Sequence, residues 1–222
     1  MLFGETIANP TDFMILVLLT GCLPFFVTMV TSYCKIICVC SLVRNALGVQ
    51  QVPPGMVLSG LAMILTVFIM APVGAQTFKE FEKLPPRNGD YGMNYIIENG
   101  PKVLSPLKEF LKSNSDQRIS KAFVSGAKRI WPADFKDAID EDSLVFVVPT
   151  FVISELTKAF QIGFLLYLPF VAIDLIISNI LLAMGMMMVS PMSISLPFKL
   201  MLFVSLDGWL KLSQGLMYSY GM

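Results

Sequence analysis

Apolar residues fall in four long runs along this chain, and one polar block separates the first two from the last two. Phe13 to Val43 is almost continuously apolar. It exceeds the ~20 residues a straight helix needs to cross a bilayer, so it predicts a helix that tilts, bends or extends outside. Pro24 is the expected bend, because proline removes a backbone donor and crowds the preceding turn. Asn45 to Gly55 contains Gly48, Pro53, Pro54 and Gly55 and reads as a short connection. Met56 to Ala75 is charge-free, of bilayer length, with Pro72 near its end. Residues 1–75 are therefore expected to form an N-terminal apolar helical hairpin.

Residues 76–143 form the polar block, opened by Pro85, Pro86, Asn88 and Gly89. Helical periodicity follows. Val103, Leu104, Leu107, Phe110 and Leu111 share one helix face, and Ile119, Ala122, Phe123, Ala127 and Ile130 share another. Ser113, Asn114, Ser115 and Asp116 lie between them and can cap the second helix. A small helical domain is expected here, on the extracytoplasmic side. Residues 144–222 are apolar again: Leu144 to Leu182 carries Glu155, Lys158, Gln161, Asp174 and Asn179, and Met184 to Leu206 follows after Gly185. Such polar side chains are costly facing lipid and should turn toward protein or water. The fold class expected is all-α, an integral membrane protein of long apolar helical hairpins.

Composition sharpens this picture. The chain has 222 residues, 55% of them apolar, and a mean hydropathy of +0.70; a soluble domain is far less apolar. Sixteen basic and sixteen acidic residues cancel, which gives no electrostatic case for a nucleic-acid partner. Lys35 and Arg44 flank the first connection and place it in the cytoplasm. Glu5 and Asp12 stand where a secretory signal carries positive charge, so a cleaved signal peptide is not expected. Cys22, Cys34, Cys38 and Cys40 accompany no histidine and read as small buried hydrophobes; no metal or other cofactor is expected.

Two other function classes compete. Ser154 and Lys158 lie one helical turn apart, like a nucleophile and its base, but Glu155 would keep the lysine charged, so a hydrolase is disfavoured and no enzyme activity is expected. A secondary transporter or ion channel would also use intramembrane Asp, Lys and Asn. It usually shows internal symmetry, which is not found here.

The stretch from Pro149 through Ser154, Glu155, Lys158 and Gln161 to Gly163 and Phe164 resembles the first diagnostic motif of the FliP/SctR family. Pro197 to Asp207-Gly208-Trp209 resembles the second, with Ile173-Asp174, Ser178-Asn179-Ile180, Gly185 to Met188 and Arg44 to Gly48 with Gln50 and Gln51 adding to the match. The resemblance implies a pore-forming subunit of the type III protein secretion export gate, in the bacterial inner membrane and partly raised toward the periplasm. The injectisome branch, tied to virulence or symbiosis, is favoured over the flagellar one. Implied partners are four sister copies in a homopentamer, companions of the FliQ/SctS, FliR/SctT and FlhB/SctU families, and unfolded secreted polypeptides.

The resemblance also gives residues roles. Met186, Met187 and Met188 become a gasket that narrows the conduit, although a methionine cluster by itself is ordinary core or lipid contact. Glu155, Lys158 and Gln161 form a polar stripe, either a seam between subunits or a pair reaching water within one chain. Asp174 and Lys199 are expected to bridge, within or between subunits, or each to meet a different companion. Ala159 and Gly163 admit a close helix crossing. Asp207 and Trp209 mark an interfacial anchor or an assembly contact.

Overall fold

The computed structural model describes residues 10–49, 52–84, 99–136 and 140–221, and among them the chain is all-α, with no strand. The expected turn at Pro85 to Gly89 and the glutamines Gln50 and Gln51 lie outside these residues. Helix α1 covers Pro10–Val30, α2 Tyr33–Leu47 and α3 Gly55–Glu82. Pro24 lies inside α1, and a 78° turn falls at the break before α2. There the Thr31 hydroxyl donates to the Val27 carbonyl at 2.6 Å, a back-bond of the kind that bends helices. Helix α2 ends on Gly48, whose φ of 78° needs no Cβ. Helix α3 runs past Ala75 to Glu82 without a break, adding Gln76, Thr77, Lys79, Glu80 and Glu82 with the exposed Phe78 and Phe81 among them.

The polar block folds as α4, Ser105–Ser113, α5, Gln117–Ile130, and the short α6, Ala133–Lys136. Asp116 caps α5, its carboxylate accepting from the Arg118 N–H at 2.8 Å. Phe110 and Leu111 of α4 are buried against Val73, Val147, Phe151 and Tyr220. On α5 the buried pair is Val124 and Ala127, packed on Phe146 and Trp131. Phe123 and Ile130, expected inside, face outward, Ile130 with 79% of its surface free. The stripe is rotated because only the narrow Val124–Ala127 edge meets the next helix.

That helix, α7, is a single 40-residue rod, Leu144–Ala183, with Pro149 and Pro169 inside it. Met184 to Ser190 form the following turn, and α8, Pro191–Ser205, leads at a 59° bend into α9, Gly208–Tyr218. Asp207 sits at the bend with φ 51°. A Cβ on Gly208 would lie 2.4 Å from the Phe203 ring, so only glycine lets this ring close over the bend.

Helix α2 is the centre of the main core. Ile36, Val39, Cys40, Val43 and Leu47 follow the helical repeat and are buried with Leu58, Ala62, Ala159 and Leu216. Ala159 and Gly163 face α2, and a Cβ on Gly163 would sit 2.2 Å from Leu42 Cδ1. Small residues thus set the closeness of the α2–α7 crossing. Helices α3 and α7 are each long and apolar enough to cross a membrane, and the bent pairs α1–α2 and α8–α9 meet the same test jointly.

Candidate functional site

Two polar centres lie where apolar helices meet, the first buried and the second buried on its lysine side. In the first, Glu155 of α7 faces Lys35 of α2, with 3.2 Å between Glu155 Oε2 and Lys35 Nζ and neither side chain exposed. The Tyr220 hydroxyl donates to the same carboxylate, and its ring lies under the Lys35 ammonium, 3.4 Å from Nζ to the ring centroid. A cation over an aromatic face gains from the ring quadrupole. Lys158, one turn along α7, reaches Glu155 Oε1 at 3.3 Å and donates to the Asn114 carbonyl at 2.5 Å. The Ser154 hydroxyl donates to Thr150 O at 2.6 Å and accepts from the Asp116 N–H at 2.9 Å. One carboxylate therefore ties together α2, α7, the α4–α5 turn and the C-terminal end.

The second centre joins the last two long helices. Lys199 Nζ of α8 lies 2.6 Å from Asp174 Oδ2 of α7 and donates to the Ala46 carbonyl at 3.2 Å. The Ser195 hydroxyl donates to Asp174 Oδ1 at 2.5 Å. The ammonium is 3% exposed and the carboxylate side 36%. Charge-assisted bonds to a buried cation fix the separation of α7 and α8 about 12–14 Å along from their connecting turn, at 1.5 Å per residue. Beyond it stand Met186, Met187 and Met188, with Met187 80% and Met188 fully exposed.

The remaining singled-out residues divide. Gln161 is exposed on the outer side of α7, apart from Glu155 and Lys158. Ala159 and Gly163 pack on α2 of the same chain. Trp209 is half-buried, edge-on to Phe203 at 5.3 Å between ring centres, while Asp207 is exposed. Lys35 and Tyr220 are functional-site residues that sequence reasoning missed. Lys35 carried a signal, as the single charge between Phe13 and Val43; a cation so placed requires a partner. Tyr220, two residues from the end of the sequence, carried none.

Ser154 and Lys158 are engaged with different carbonyls, Thr150 and Asn114, rather than with each other. What the geometry supplies is two charged clasps holding apolar helices in register, and a bare methionine tip.

Comparison with known proteins agrees on one group. The FliP family model matches residues 15–216. The chain is 51% identical over 201 residues to the Yop proteins translocation protein R of Yersinia pestis, covering 90% of this chain and 91% of that one. It is 46% identical over 201 residues to the virulence protein YscR of Salmonella typhimurium, covering 90% and 92%. To the harpin secretion protein HrcR of Erwinia amylovora it is 42% identical over 213 residues, covering 96% and 97%.

Proposed function

Because this chain belongs to the FliP family, we propose that it is a pore-forming subunit of a type III protein secretion export gate, passing unfolded polypeptides across the bacterial inner membrane. The names of its relatives, a Yop translocation protein, a virulence protein and a harpin secretion protein, favour the injectisome branch. Five copies joined to companions of the FliQ/SctS, FliR/SctT and FlhB/SctU families would enclose the conduit. The chain acts as a structural conduit rather than as a catalyst.

The observation that carries this reading is the methionine tip. Met187 and Met188 are nearly bare while the hairpin behind them is clasped by Asp174 and Lys199. Large apolar side chains held in the open on a braced turn need a further surface to cover them. Methionine is unbranched and adaptable, so a ring of such tips can close on itself and still yield to a passing chain. The outward side of α7, with Ile153, Phe160 and Phe164 exposed, is available to sister subunits.

The test replaces Met186, Met187 and Met188 together by Ala in the assembled gate. Ion and small-solute leakage is expected to rise severalfold while assembly persists. Unchanged conductance would remove the gasket role.

A further inference from the structure

The 78° break between α1 and α2 parts two hydrogen-bond ladders. Among the described residues no backbone bond crosses it, and the first bond on the α2 side runs from the Ile36 N–H to the Ser32 carbonyl at 3.3 Å. Thr31 repairs part of the loss: its hydroxyl accepts from the Tyr33 N–H at 3.4 Å and donates to the Val27 carbonyl at 2.6 Å. Ser32 does not do the same. It stands at the N-cap of α2 with φ −65° and ψ −8°, helical rather than extended, and makes no side-chain cap bond; a capping hydroxyl reaches the helix donors from the extended region. Ser32 Oγ is buried without a partner, and the N–H groups of Ser32 and Lys35 have no backbone acceptor among the described residues. Neither residue has exposed surface, so bulk solvent does not reach these groups.

Buried polar groups are paired almost without exception, with protein or with ordered water. Hydrogen-bond chemistry selects the ligand here. The α2 side offers the Lys35 N–H and the Ser32 hydroxyl; the α1 side offers the carbonyls of Thr28 and Thr31, whose partners in an unbroken helix would be the Ser32 and Lys35 N–H groups. A ligand at the break must therefore accept from one side and donate to the other. A simple anion cannot donate, and the Glu155 carboxylate, 3.2 Å from the Lys35 ammonium, already supplies the negative charge of this region. A metal cation cannot accept, and it would be repelled by Lys35. Water does both, and a buried water makes about three hydrogen bonds to groups otherwise left unpaired.

We propose that one water molecule is bound at the α1–α2 break, accepting from the Lys35 N–H, bonded to the Ser32 hydroxyl and donating to a carbonyl at the end of α1. It is a wedge in the parted ladder, one of the few devices that produce a sharp helix kink. It lies beside the first charged centre, since the Ser32 carbonyl is 3.4 Å from the Tyr220 hydroxyl. The site is independent of the export role.

The experiment is water-edited solid-state NMR on the isotope-labelled full-length chain in lipid bilayers, which reads how fast magnetisation passes from water to each backbone amide. Val39, one turn beyond Lys35 and equally buried, supplies the dry baseline. The Lys35 amide is expected to fill about threefold faster than the Val39 amide, because an ordered water touches it. Ser32→Val replaces the hydroxyl by a methyl group and should bring the ratio to about one, while Ser32→Thr keeps the hydroxyl and should preserve the faster transfer. Unshifted Val39 and Val43 resonances report that each variant is folded. A native ratio of one would overturn the proposal. So would an undiminished ratio in a folded Ser32→Val variant, or a ratio that collapses when chloride is exchanged for sulfate, which would identify the ligand as an anion. Should the variants misfold, the Lys35 to Val39 comparison and the chloride exchange on the native protein decide by themselves.

Discussion

Lys35 and Glu155 are 120 positions apart in sequence and meet 3.2 Å apart with no exposed surface on either side chain. Seven residues further along α2, Leu42 touches Gly163 of α7, so the two helices run in the same direction with the ion pair at one end of their contact. The pair is buried in the chain itself, which assigns Glu155 a partner within the protomer.

Breaking this pair from one side strands a charge in the core. Glu155→Gln is expected to cost about 3–5 kcal/mol, whereas Lys35→Met combined with Glu155→Leu should cost much less. Reversible unfolding in mixed micelles measures both. A double variant as damaged as the single one would falsify the buried-pair account.

At the second clasp the two partners differ in exposure, 3% for Lys199 and 36% for Asp174. Asp174→Ala leaves a buried ammonium with only the Ala46 carbonyl, while Lys199→Met leaves a carboxylate that already reaches water and Ser195. The first is expected to destabilise by about 3 kcal/mol and the second by about 1 kcal/mol. Thermal melts of the two variants check the order, and the reverse order would contradict it.

The α2–α7 crossing has no room for a methyl group at Gly163. Gly163→Ala should lose about 1–3 kcal/mol through overpacking against Leu42. Adding Leu42→Ala should return most of that loss. Failure of the second change to rescue the first would mean that the crossing is not the source of strain.

In the polar block, Lys112 Nζ donates to Asp142 Oδ1 at 2.6 Å, and this bond holds the Asp142 carboxyl below the usual carboxylate range. A depressed folded-state pKa means that the contact adds stability above the ordinary carboxylate pKa and loses it as pH falls through the lower folded value. Carboxyl carbon NMR titration should give a midpoint below the ordinary value, and Lys112→Ala should return it upward. A midpoint indifferent to Lys112 would exclude the bond in solution.

Much of the architecture is legible in local pattern. Helical periodicity, capping at Asp116 and the break at Gly185 depend on residues within a turn or two of each other, so they can be read along the chain. The cost of charge in an apolar helix likewise marks Glu155, Asp174 and Lys199 by their place in apolar runs. The turn at Thr31–Ser32, the rotated face of α5 and the identity of each charge's partner are not legible in this way. Lys35 reads as a flanking charge until α2 packs along α7, and Tyr220 has no visible task until the C-terminal end returns to Ser32 and Glu155, where its hydroxyl lies 3.4 Å from the Ser32 carbonyl. Sequence alone determined which segments are helical and which side chains could not face lipid, because both follow from short-range chemistry. Tertiary structure alone decided which of those side chains meet, because that depends on helix direction and crossing distance, set here by the bare backbone of Gly163 against Leu42.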